Sequence, residues 1–147
     1  ERLRAAGERI HANCAEVMRR QGYANARTVL CETLVRASVV RCRRALEGDA
    51  AGAQQAQSER EEHFVWVPAL AELLGAYEGA RERFSDLDAY LPSIAEHLDA
   101  YAATLAELEA KRPKLVSSTP VNGAVDVDPA LSALVFTFDR PMRDQSW

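Results

Sequence analysis

The sequence has little of what would let a chain hold together without a packed core or sit in a membrane. Of its 147 residues only three are cysteine, seven glycine and six proline. Cys14, Cys31 and Cys42 are odd in number and include no C-x-x-C pair, which argues against a disulfide framework and against a zinc finger. All three fall in predicted helices, so each thiol is expected to act as a small buried hydrophobe. The longest apolar run, residues 64–71, contains Pro68 and is far shorter than the roughly 20 residues of a membrane helix, so no membrane span is expected. The start of the chain lacks the long apolar stretch of a signal peptide, and its first residue is Glu1. These features read as a piece of a longer protein.

Lysine is scarce, with only Lys111 and Lys114, and aromatics make up 7% of the chain. Residues 1–44 hold ten Arg against four Glu, but their only aromatic is Tyr23. A nucleic-acid-binding face needs basic residues interleaved with aromatics or a known motif, so no nucleic-acid partner is expected. Arg19 and Arg20, and then Arg41, Arg43 and Arg44, fall at the ends of predicted helices, where cations complement the helix macrodipole. Arginine in place of lysine, with abundant alanine, suggests a GC-rich bacterial source.

What remains is ordinary globular material. Apolar residues are 48% of the chain and charged residues 27%, and a domain near 150 residues buries about 68 to 70% of its unfolded surface. Leu3, Gly7, Ile10, Cys14 and Val17 recur at spacings of four and three, which predicts one helix over 2–21 ending at Gly22. Asn25 is a plausible N-cap for a helix over 26–47. That helix has apolar residues around most of its circumference and is expected to be the most buried element. Residues 48–52 read as a flexible break, and 54–63 as a solvated helix or loop. Pro68 suits the first turn of the next helix, whose inner face is Leu70, Leu73, Leu74 and Tyr77. Ser85 with Asp88 resembles a capping box opening a short turn of helix ahead of Pro92. Leu91, Ile94, Leu98, Tyr101, Leu105 and Leu108 then alternate at three and four, the most regular helical pattern in the chain.

At Pro113 the pattern changes. Residues 114–117 read as a short strand, 119–123 as a turn, and 134–138 alternate with period two. The predicted fold class is therefore mainly α, an antiparallel helical bundle over 1–112, followed by a short β segment over 113–147 that is too small to bury a core of its own.

No H-E-x-x-H, G-x-S-x-G, Walker A loop or glycine-rich dinucleotide fingerprint occurs. Glu62-His63 and Glu96-His97 are adjacent pairs whose side chains diverge by about 100° on a helix, so neither pair chelates a metal alone. Glu32 and Arg36 lie at i and i+4 on the apolar helix. They read either as an intrahelical salt bridge or as an acidic group facing a cleft, a metal ligand or acid/base, with Arg36 orienting it.

Two resemblances extend this reading. The string Glu32-Thr33-Leu34-Val35-Arg36-Ala37, then Phe64-Val65-Trp66-Val67-Pro68-Ala69-Leu70, Tyr77-Glu78 and Phe84-Ser85-Asp86-Leu87-Asp88-Ala89-Tyr90-Leu91-Pro92, resembles the C-terminal half of an uncharacterised bacterial family of zincin-like zinc metallopeptidases, over about residues 1–112. The resemblance implies that Glu32 is the third metal ligand and Arg36 the residue that fixes its carboxylate. Two imidazoles and a carboxylate leave zinc an open position for water. Both histidines and the general base of an H-E-x-x-H helix would lie upstream, so the chain is expected neither to bind zinc tightly nor to hydrolyse anything by itself. The intact parent would hold zinc and act on a peptide or protein substrate, with the remainder of its own polypeptide as this chain's partner. Ser118-Thr119-Pro120-Val121-Asn122-Gly123-Ala124-Val125-Asp126-Val127-Asp128-Pro129, continuing through Val135-Phe136-Thr137-Phe138-Asp139-Arg140-Pro141-Met142, resembles the opening strands of a bacterial Ig-like domain. It implies a secreted or envelope protein. The alternative to an enzyme part is a noncatalytic helical interaction or scaffold module of such a protein.

Overall fold

A computed structural model describes residues 1–142. Over these the chain is mainly α-helical with a two-stranded antiparallel sheet at its C-terminal end: α1 (Arg2–Ala12), α2 (Ala15–Arg20), α3 (Ala26–Glu47), α4 (Asp49–Glu61), α5 (Val67–Gly79), α6 (Leu87–Lys111), β1 (Leu115–Thr119) and β2 (Val135–Phe138). Two compact units divide inside α6, the first Glu1–Ala106 and the second starting at Glu107. Residues 143–147 of the expected β segment lie outside the described residues.

The first helix expected over 2–21 is two helices. Asn13 donates its side-chain amide to the Arg9 carbonyl at 2.8 Å, the local side-chain bonding that competes with helix continuation. The inward spacing survives the break, because Ile10 and Met18 are buried and Leu3, Cys14 and Val17 pack against the core. α2 ends as expected: Gly22 has φ +90°, with Gly22 N–H on the Arg19 carbonyl and Tyr23 N–H on the Met18 carbonyl. This paired closure places glycine in the left-handed region, where it carries no Cβ penalty.

α3 starts at its expected cap, the Asn25 side chain accepting from Thr28 N–H at 3.0 Å. It is not the most buried element. One stripe, Val29, Thr33, Ala37 and Val40, faces the core, while the shorter α5 buries Val67, Pro68, Leu70, Ala71, Leu74 and Tyr77. Apolar content around the whole circumference is therefore not matched by partners around the whole circumference. α3 packs against α1, α4 and α5.

The expected flexible break is one residue long. Gly48 (φ +94°) turns the chain and α4 begins at Asp49. Gly52 is a packing residue, since a Cβ there would lie 2.6 Å from Arg44 Cβ and 3.1 Å from Arg44 Cα. The polar stretch that follows is helix, with Gly52, Ala56 and Glu59 on its buried side. Its end repeats the Gly22 closure with a non-glycine residue: His63 takes φ +67°, its N–H meeting the Arg60 carbonyl and Phe64 N–H the Glu59 carbonyl at 2.8 Å. Phe64 thereby turns into the core beside Trp66, and both are buried.

α6 differs from the expectation at its start. Asp86, not Ser85, caps it by accepting from Ala89 N–H at 2.9 Å, and the helix runs through Pro92 instead of ending before it. Pro92 is the sixth residue of the helix, past the unpaired first turn, so it removes one interior hydrogen bond, the one to the Asp88 carbonyl. The three-four pattern holds in the middle, where Ile94 and Leu98 are buried, and lapses at Leu108, which is exposed.

In the second unit β1 pairs with β2 in the register Leu115 to Phe138, Ser117 to Thr137, Ser118 to Phe136 and Thr119 to Val135, with an irregularity between Leu115 and Ser117. No described residue from 113 onward is buried. Leu115, Val116, Val121, Val125, Leu134, Val135 and Phe136 are all exposed, consistent with a hairpin too small to cover its own apolar face.

Candidate functional site

Arg36 sits one turn beyond Thr33 on α3 and points toward the end of α4. Its Nη1 donates to Glu59 at 2.6 Å and to Glu62 at 2.7 Å, and its Nη2 donates to the Tyr23 hydroxyl at 3.2 Å. The guanidinium lies over the Phe64 ring, 4.2 Å from its centroid. The Glu59 side chain is 3% exposed and that of Arg36 19%. The other Glu59 oxygen accepts from Gln55 at 2.7 Å. Burial alone would lower the Arg36 pKa, but the hydrogen bonds it donates to Glu59, Tyr23 and Glu62 outweigh it and raise it. A buried carboxylate paired in this way is tolerated because its charge is matched and its oxygens are occupied.

Glu32 is placed differently. Its Oε2 is 3.6 Å from Arg36 Nε, an ion pair without a hydrogen bond, and its side chain is 36% exposed. Arg36 Nε itself is buried without a hydrogen-bond partner among the described residues. The two residues singled out by spacing are thus neighbours, but Arg36 spends its hydrogen bonds on α4. The sequence singles out Glu62 only beside His63, as a pair unable to chelate a metal, and Glu59 not at all. Glu59 follows the small residues Gly52 and Ala56 at spacings of four and three, the pattern that could have placed it on the buried side of α4.

Glu32 borders a second feature. Cys31, Val35, Ser38, Val39, Cys42 and Leu46 lie along the outer side of α3 and all are exposed, Val35 at 58% and Leu46 at 85%. This face carries no charge over roughly 22 Å of helix at 1.5 Å per residue. At 100° per residue Glu32 falls about 20° around the helix from Val39 and about 60° from Val35, so it stands at the edge of the face, between it and the Arg36 cluster. The expected burial of the thiols fails here: Cys31 and Cys42 are exposed, and only Cys14 is half-buried. Cys14 lies against the Ile10 carbonyl at 3.3 Å, and burial pushes its pKa up to about 11.

Two further arginines of α3, Arg41 and Arg44, tie it to α5, whereas Arg43 pairs within α3. Arg41 meets Glu78 at 2.6 Å, Arg44 meets Glu72 at 2.7 Å, and Arg43 meets Glu47 at 2.7 Å.

As an oxygen donor Glu32 fits a zinc ion, since no described side chain hydrogen-bonds its carboxylate. The neighbouring carboxylates do not, because Arg36 occupies them. No group of three or more His, Cys, Asp or Glu side chains suited to a metal occurs among the described residues. Nor is any described helix long and apolar enough to cross a membrane. The chain matches no family model, no curated protein and no solved structure.

Proposed function

We propose that this chain is the helical C-terminal part of an extracytoplasmic bacterial zinc metallopeptidase, followed by the opening strands of an Ig-like spacer. In this reading an H-E-x-x-H helix elsewhere in the longer polypeptide packs along the uncharged outer face of α3, and Glu32 supplies the carboxylate ligand. The observation that carries it is the position of Glu32 at the edge of that face, its oxygens accepting no hydrogen bond from a described side chain. A zinc ion held there would supply the Lewis acidity that activates water toward a peptide bond. The residues of this chain would position that carboxylate ligand. Glu59 and Glu62 hold the Arg36 guanidinium, Tyr23 and Phe64 flank it, and Arg36 in turn keeps a positive charge beside Glu32 without taking up its oxygens.

The test is the zinc content of the longer polypeptide, measured by elemental analysis in the unmodified protein and in Glu32→Gln. Near-stoichiometric zinc that falls sharply in the variant, with circular dichroism unchanged, is the expected result. Absence of zinc from both folded proteins overturns the proposal. A second reading, a noncatalytic helical scaffold of an envelope protein, rests on the same uncharged face as a docking surface and would stand in that event.

A further inference from the structure

We draw no further inference here: the strongest candidate, the open apolar groove beside the β1–β2 hairpin lined by Leu115, Pro120, Val121, Leu134 and Phe136, carries nothing because nothing in the structure shows what covers it.

Discussion

Arg36 hydrogen-bonds Glu59 on α4 at 2.6 Å while its i−4 neighbour on the same helix, Glu32, stays 3.6 Å away. The tertiary partner wins because Glu59 is the more deeply buried of the two acids, and an unpaired carboxylate costs most where water is excluded. Glu62 and Tyr23 share the same guanidinium, so its orientation is set by α4 and the loop after α2 rather than by α3.

This asymmetry separates two substitutions that look alike in sequence. Glu59→Gln is expected to destabilise the protein by about 2 kcal/mol, below the usual range for breaking a buried pair because Glu62 still neutralises Arg36. Glu32→Gln is expected to change stability by less than about 0.5 kcal/mol, as for an exposed helical pair. Urea unfolding followed by circular dichroism measures both. Equal effects would mean that Arg36 does not discriminate between its acids.

The Trp66 indole N–H donates to the Thr33 hydroxyl at 2.8 Å in a fully buried site. Thr33→Val keeps the shape and removes the acceptor, leaving the indole unsatisfied at a cost of about 1 to 3 kcal/mol. Thr33→Ser restores the acceptor and should recover most of the bonding loss. Comparing the two variants in the same unfolding assay isolates the hydrogen bond from the packing.

His63 occupies the left-handed position that Gly22 fills at the end of α2. A residue with a Cβ pays about 1 to 2 kcal/mol there, partly offset by the greater freedom of glycine in the unfolded chain. His63→Gly is therefore expected to stabilise the protein by up to about 1 kcal/mol, read as a rise in melting temperature. A fall would show that the imidazole makes a contact worth more than the strain.

Thiol reactivity should sort the cysteines by position. With a thiol-reactive probe at mildly alkaline pH, Cys31 and Cys42 are expected to label quickly in the native protein because they are exposed on α3. Cys14 should label slowly, because burial holds its thiol protonated. Peptide mapping after a brief pulse identifies the modified residues. Protection of Cys31 and Cys42 within the longer polypeptide would be the direct sign that its outer α3 face is covered.

Acid should weaken the fold in two stages. Burial lowers the His97 pKa, so below the ordinary imidazole value the unfolded chain takes up a proton that the native one resists, and stability drops as pH falls through that range. Hydrogen bonds from Arg44 and Arg41 lower the pKa values of Glu72 and Glu78. Their contribution is present above the ordinary carboxylate range and is lost as pH falls through the folded values, and it is modest because both acids are largely exposed. Urea midpoints collected from neutral to acid pH test this. His97→Asn should remove the earlier stage and leave the later one.

Helical character, the Asn25 cap, the turn at Gly22 and the change to strands after Pro113 were all legible, because each depends on neighbours within a few residues: side-chain spacing, cap chemistry and backbone freedom. Local reading failed where a local rule met a tertiary one. Residues 48–52 look like a break, but 49–52 form the first turn of α4, and Gly52 lets that turn lie against Arg44 of α3. Ser85 looked like the cap, yet the adjacent Asp86 accepts the helix N–H. Glu32 and Arg36 were found by their spacing, but the partners that matter most to Arg36 lie more than 20 residues away on another helix. Apolar periodicity marks which residues can be buried; which side of α3 is actually covered depends on the helices packed against it. That packing leaves Cys31, Val35, Val39 and Cys42 in water and sets Glu32 at their edge.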